Sequence, residues 1–253
     1  MAAGACMNFL LGFVVMAIVL AAQNEPITSR VIYAVEDGAL CGQTGLEAGD
    51  KVLAVNGRRC FVANDMLYEL MRTEDYSASF TVLRDGKKVE LPRVQFDTWQ
   101  DEDGETHMSL GFTVYGIRKT PVNVIKEAWN SVLYYGRIIF TSLMDLLRGR
   151  ESINDLSGPV GIVTAIGQAA SYGWQDLLEL LALITVNVGI FNLLPFPALD
   201  GGKVVFLLIE GVTGHAVPEK IQSGLTLAAF ALLFALMIFA TYNDIVRLVT
   251  GAI

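Results

Sequence analysis

The chain has 253 residues, of which 53% are hydrophobic and 17% are charged, and its mean hydropathy is +0.48. This composition is too apolar for an ordinary soluble domain and indicates a membrane protein. The net charge of −8 excludes nucleic acid as a partner, because nucleic-acid binding needs clustered lysine and arginine. The basic residues are scattered along the chain, so the sequence also predicts no polybasic membrane-binding patch.

The first 24 residues carry no charged side chain. The stretch from Gly4 to Ala22 is long enough to cross a bilayer as a helix. A signal peptide would also be apolar, but this segment lacks a basic start, and Ala21-Ala22-Gln23 is a poor cleavage site. We therefore predict a retained transmembrane helix over residues 1–24.

Residues 25–100 alternate short β-type runs with turn signals, which predicts a small β-rich soluble domain. Asn56-Gly57 and Asp85-Gly86 are typical of hairpin turns. Cys41 and Cys60 would pair in an oxidising compartment, or else remain as two buried thiols. The predicted strands are Arg30–Val35, Lys51–Val55, Ser79–Leu83 and Lys88–Leu91, and the predicted helix is Asn64–Arg72.

A linker is predicted over residues 101–122, with an acidic loop from Asp101 to Glu105 and one strand from Met108 to Tyr115. Thr120-Pro121 then opens a helix, which we place at 123–150. This helix is amphipathic, and it either lies on the membrane surface or packs on the soluble domain. Its predicted apolar face holds Ile125, Trp129, Val132, Gly136, Ile139, Leu143 and Leu147, and its polar face holds Lys126, Asn130, Arg137, Asp145 and Arg148.

Residues 151–253 are predicted to form a membrane domain with two further spans, Leu180–Leu199 and Ile221–Asn243, both uncharged. In the first of these, Pro195 and Pro197 must break the helix, because each removes a backbone donor and clashes with the preceding turn. The carboxylate of Asp200 follows this break. A carboxylate beside a broken helix indicates a polar site inside the membrane, or else a loop at the membrane edge with a solvated Asp200.

The stretch from Asn192 to Gly202 resembles the second metal-binding motif of the site-2 protease family, whose members are membrane-embedded zinc metalloproteases. The pattern is Asn-x-x-Pro-x-Pro-x-Leu-Asp-Gly-Gly, and every fixed position matches. The likeness extends to Leu156–Ile162, to Thr241–Asp244 and to the N-terminal segment, where Gly4-Ala5 stands in place of the family's Gly-Pro. It covers nearly the whole chain.

The resemblance implies that Asp200 is a ligand of a catalytic Zn²⁺, which lowers the pKa of bound water and polarises the scissile carbonyl. It also implies that Asn192 hydrogen-bonds the substrate backbone or the oxyanion, although a helix–helix hydrogen bond is the alternative. Pro195, Pro197, Gly201 and Gly202 would shape the break rather than take part in the chemistry.

The β-rich domain resembles a PDZ domain, through Val31–Val35 and through the turn that begins at Gly45-Leu46 and ends at Asn56-Gly57. In this family the PDZ region is thought to screen substrates by bulk, although PDZ domains can also bind extended peptide ends. The resemblance implies that this domain faces outside the cytoplasm of a bacterial cell. A plain spacer is the alternative.

The family's first motif, His-Glu-x-x-His, does not occur in the sequence, whose two histidines are His107 and His215. Two such histidines would complete the zinc site, so we expect this chain alone to be inactive. In the family this motif lies on a helix. That helix would be encoded upstream, or come from a separate chain, or be truly lost in a non-catalytic membrane PDZ adaptor.

The sequence therefore predicts a membrane protein with an α-helical core of three spans, an inserted PDZ-like domain and an amphipathic surface helix. The intact protein is expected to be a multi-pass protease of the cell membrane that cleaves transmembrane substrates. By analogy, these are membrane-anchored anti-sigma factors or signal-peptide remnants.

Overall fold

The computed structural model describes residues 2–101, 104–150, 152 and 156–250. The chain divides into two compact units. One unit is Leu20–Tyr134, called here the β unit, and the other combines Met1–Val19 with Tyr135–Ile253, called here the helical unit. Residues 102 and 103 of the predicted acidic loop lie outside the described residues.

The β unit is built around a six-stranded antiparallel sheet in the order β5-β4-β2-β1-β8, with the short β3 paired to β2. A separate two-stranded hairpin joins β6 to β7. The elements are β1 Ile27–Val35, α2 Leu40–Gln43, β2 Lys51–Val55, β3 Arg58–Arg59, α3 Ala63–Leu70, β4 Ser77–Arg84, β5 Lys87–Gln95, β6 Asp97–Gln100, β7 Thr106–Ser109 and β8 Phe112–Ile117.

The predicted linker over 101–122 contains two strands rather than one. Gly111 has a positive φ of 62°, a conformation that favours glycine, and it separates β7 from β8. β8 then pairs with β1, with Ile117 opposite Ile27. The end of this segment therefore belongs to the main sheet and not to a connection outside it.

The β unit has a closed apolar core in which Phe80, Val82 and Val94 are almost fully buried. Cys41 and Cys60 lie in this core as free thiols, and burial raises the pKa of Cys41. The β unit therefore has the core of an ordinary globular domain, in which large apolar side chains are removed from water.

One buried carboxylate of the β unit is neutralised by an arginine. Asp50 is fully buried, and its two oxygens accept hydrogen bonds from Nε and Nη2 of Arg84, each at 2.7 Å. Hydrogen bonding to Asp50 raises the pKa of Arg84. The fork-shaped pairing supplies the partner that a buried carboxylate needs.

The remaining elements are helices. Three of them, α1, α6 and α8, are long and apolar enough to cross a membrane. The described helices are α1 Ala2–Ala22, α4 Pro121–Leu147, α5 Pro159–Tyr172, α6 Trp174–Leu193, α7 Asp200–Thr213 and α8 Glu219–Thr250. α6 lies about six residues earlier than the predicted span Leu180–Leu199, because the helix ends before Pro195.

Small residues allow α1 and α6 to approach closely in the helical unit. A Cβ added at Gly12 would lie 2.8 Å from Cγ2 of Val186, and one added at Gly189 would lie 3.3 Å from Cβ of Asn8. Ala5 is fully buried in the same region. Such close backbone contact is the usual basis of helix association in membranes.

Helix α4 departs from the predicted division into an apolar and a polar face. Ile125 and Trp129 are exposed, as expected for an apolar face that contacts a membrane surface. Val132, predicted on the same face, is buried. Asp145, predicted on the polar face, is only 1% exposed and pairs with Arg150. The prediction for Asp145 was therefore wrong, because protein surrounds this part of the helix.

Candidate functional site

The break between α6 and α7 forms a compact turn over residues 194–199. Within it, the amide of Phe196 donates to the carbonyl of Leu194 at 2.7 Å, and the amide of Leu199 donates to the carbonyl of Phe196 at 2.9 Å. The hydroxyl of Thr226, on α8, donates to the carbonyl of Pro197 at 3.2 Å. These bonds satisfy backbone groups inside the non-helical turn, so the break has a defined shape.

Gly201 and Gly202 are required by close backbone contact. A Cβ at Gly201 would overlap the carbonyl oxygen of Leu194, and one at Gly202 would overlap that of Phe196. Neither glycine has a positive φ, so steric space and not backbone conformation demands them. The first turn of α7 is thereby pressed against the break.

Asp200 is the first residue of α7, where the helix dipole favours a negative charge. Its side chain is 36% exposed, and Nζ of Lys203 lies 3.7 Å from its Oδ1. On the other side, a Cβ at Gly4 would lie 3.7 Å from its Oδ2. The start of α1 and the start of α7 therefore meet at this carboxylate.

Asn192 occupies the last turn of α6, just before the break, and is half-buried. In the described part of the chain its amide makes no hydrogen bond, so it is available to another molecule. The sequence indicated no role for Asn8, whose Cβ would lie 3.3 Å from a Cβ added at Gly189. Gly189 is on α6, three residues before Asn192. A signal existed, because Asn8 is the only side-chain amide within α1.

The residues at the break do not complete a zinc site by themselves. Catalytic zinc takes three protein ligands, and among the described residues Asp200 belongs to no group of three or more histidine, cysteine or carboxylate side chains that could hold a metal ion. A described group that could hold a metal ion consists of Asp101, Glu105 and His107, on the β6–β7 hairpin. There Nε2 of His107 lies 2.7 Å from Oδ2 of Asp101.

A second buried polar contact joins the start of α5 to α8. Asp244 is fully buried, and its Oδ2 accepts the amide of Gly161 at 2.7 Å. A Cβ at Gly158 would lie 2.8 Å from the amide nitrogen of Thr241. Two of the three segments that resemble the site-2 protease family outside the main motif thus contact each other, which the sequence did not show.

Three apolar helices and a sheet domain fit a membrane protein with a β domain. The break between α6 and α7 carries Asp200. Residues 1–236 match the model of Peptidase family M50. The chain belongs to this family, which is the site-2 protease family.

Curated relatives support this assignment. The chain is 35% identical to the zinc metalloprotease RasP of Geobacillus kaustophilus, over 96% of this chain and 57% of that protein. It is 30% identical to the regulator of sigma-W protease RasP of Bacillus subtilis, over 98% of this chain and 58% of that protein. The chain therefore spans a little over half the length of these relatives.

Proposed function

We propose that this chain is part of an intramembrane zinc metalloprotease of the site-2 type, active in the bacterial cell membrane as a multi-pass protein. The single observation that carries the proposal is the Asp200 carboxylate, held at a shaped break between two apolar helices. Family membership and relatives named as zinc metalloproteases support it.

In this proposal Asp200 supplies one zinc ligand, and the other ligands come from outside the residues described here. Zinc, when bound, supplies a Lewis acid and an activated water. What this chain contributes is a carboxylate whose backbone is fixed by the glycine contacts of α7 and whose charge is favoured by the start of that helix.

Asn192 is proposed to bind the backbone of the substrate. Its amide lies one residue before the end of α6 and is free to donate a hydrogen bond to a carbonyl oxygen. The irregular turn that contains Pro195 and Pro197 is where we expect an unwound substrate segment to dock. The substrates are proposed to be transmembrane proteins, such as membrane-anchored anti-sigma factors, or signal-peptide remnants.

The β unit is proposed to be a PDZ-like domain outside the cytoplasm that restricts access of substrates. Its antiparallel sheet and the helix α3 support this interpretation. The exposed apolar residues Val122, Ile125 and Trp129 on α4 support the proposal that this helix lies along the membrane surface.

Cleavage by a hybrid protein tests the proposal. This chain is joined to the segments of the Geobacillus kaustophilus relative that the match leaves uncovered, and a tagged single-span membrane protein serves as substrate. Cleavage is expected in the hybrid, and Asp200→Ala should reduce it to background. Asn192→Ala should reduce the rate by about 10²–10³, because one donor to the oxyanion is lost.

The matched control is Asn187→Ala, which removes another half-buried amide from the same helix. Its rate should stay within a few-fold of the unchanged hybrid. Full cleavage by the Asp200→Ala hybrid would refute the zinc assignment, and equal effects of Asn192→Ala and Asn187→Ala would refute the binding role of Asn192.

A second candidate function is a non-catalytic membrane adaptor. It is favoured by one observation, that the described residues around Asp200 do not form a metal-binding group. An adaptor would bind substrate without cleaving it in the native protein purified from its own membranes. A cleavage assay on that protein, rather than on the hybrid, separates the two functions.

A further inference from the structure

Basic residues that are scattered in sequence meet at one end of the β unit. Residues 23–30, 51 and 115–127 contain five basic and two acidic side chains, a net charge of +3. Since the whole chain has a net charge of −8, the remainder carries −11. We call these residues the basic collar. The sequence indicated no such cluster, because strand pairing brings these residues together.

The fold assembles the collar through three contacts. β1 pairs with β8 so that Thr28 is opposite Gly116, and β1 pairs with β2 so that Val31 is opposite Lys51. Nζ of Lys119 donates to the carbonyl of Gln23. Residues far apart in the chain are thereby held at the same end of the sheet.

A cavity of about 300 Å³ lies within the collar. Its basic lining residues are Arg30, Lys51 and Lys126, and in the described part of the chain none of the three forms an ion pair with a carboxylate. Arg30 donates to the carbonyl of Cys60. The cavity is also lined by Ser29, Tyr115, Asn123 and Glu127.

The single acid in the cavity does not cancel these charges. Glu127 is 8% exposed, and its Oε2 accepts a hydrogen bond from Asn130 at 3.2 Å. The hydroxyl groups of Ser29 and Tyr115 line the same space and can donate to an anion. Three cations and two hydroxyl donors around one cavity suit a phosphate group.

The position of the basic collar in the sequence, close to the end of α1, points to a lipid headgroup as the source of that phosphate. The apolar helix α1 ends at Ala22, and Ser29 follows seven residues later, a reach of at most about 25 Å. A basic patch this close to the end of a candidate span lies within reach of lipid headgroups. We propose that the cavity binds the headgroup of an anionic phospholipid. The proposal goes beyond the protease function and does not depend on it.

Titration calorimetry of the full chain in a neutral detergent tests the proposal. The probes are dihexanoyl phosphatidylglycerol, dihexanoyl phosphatidylcholine and inorganic phosphate. The anionic lipid should bind at least about tenfold more tightly than the zwitterionic one, and Lys51→Gln with Lys126→Gln should remove this preference. Each lysine near a headgroup contributes about fivefold in affinity, so the pair should weaken binding about 25-fold.

The matched control is Lys87→Gln with Arg93→Gln, two exposed basic residues on β5 that line neither this cavity nor the neighbouring one shared by Arg30 and Lys51. This variant loses the same charge and should keep the preference. Three results would overturn the proposal: equal binding of both lipids, inorganic phosphate binding as tightly as phosphatidylglycerol, or loss of the preference in the control variant alone. An unchanged preference in the Lys51 and Lys126 variant would overturn it equally.

Discussion

The two units differ in where their large apolar side chains lie. In the β unit, large apolar residues such as Phe80 and Ile32 are inside, and the buried Asp50 is matched by Arg84. In the helical unit, Leu227 and Phe234 of α8 are exposed, whereas Asp244 is completely buried. Both units thus bury carboxylates, but large apolar side chains lie inside the β unit and on the surface of α8.

This difference fits water around the β unit and lipid around α8. In water, apolar burial stabilises a folded domain such as the β unit. The apolar surface of α8 gains nothing from packing if lipid covers it, and association then depends on small residues and polar contacts. The comparison predicts that equivalent substitutions have different effects in the two units.

The largest expected difference concerns phenylalanine. Phe80→Ala should destabilise the β unit by about 3–5 kcal/mol, because it leaves a cavity in the core. Phe234→Ala, at a side chain 63% exposed, should change the stability of the helical unit by less than about 0.5 kcal/mol. Hydrogen exchange of β4 and α8 peptides in detergent measures both. Equal losses would contradict the assignment of α8 to lipid.

Buried carboxylates provide the next comparison. Asp50→Asn should cost about 2 kcal/mol, because it removes the negative charge that pairs with Arg84. Asp244→Asn should change exchange at α5 little, because its amide oxygen still accepts from Gly161 and Asp244 forms no ion pair among the described residues.

Asp244→Leu is the control for this comparison. It removes the acceptor as well as the charge, so it should raise exchange at the start of α5 by an amount equivalent to about 1–3 kcal/mol. If Asn and Leu at position 244 have the same effect, the hydrogen bond to Gly161 does not hold α5 on α8.

Two glycines of the α5 region provide the last comparison, which includes the smallest expected effect, that of Gly167→Ala. Gly158→Ala should destabilise the contact with α8 by about 1–3 kcal/mol, because its Cβ would press on the backbone at Thr241. Gly167→Ala has open space around it and should stabilise α5 by about 0.5–1 kcal/mol. Thermal unfolding midpoints of the two variants should move in opposite directions, and a shift in the same direction would contradict the packing.

Much of this architecture could be predicted from the sequence. The period-2 runs indicated the strands, since Lys51–Val55 is β2 as predicted, and uncharged stretches indicated the three candidate spans. The prolines indicated the break before Asp200. These features depend on local chain physics, which a single sequence records.

The rest depends on contacts between distant residues. The positive φ at Gly111, the contact of Gly158 with α8 and the burial of Asp145 leave no periodic pattern. The basic collar was missed for the same reason, because Lys51 and Lys126 are 75 positions apart in sequence. For the site, the sequence indicated Asp200 and Asn192 but not the position of Asn8 against α6.

The most direct test of the central claim is the zinc content of the purified hybrid protein, measured by elemental mass spectrometry beside its Asp200→Ala and His107→Ala variants. We predict about one zinc per chain in the hybrid and in His107→Ala, and loss of that zinc in Asp200→Ala. Zinc retained in Asp200→Ala and lost in His107→Ala would contradict the account. That result would assign the metal to the hairpin group of Asp101, Glu105 and His107.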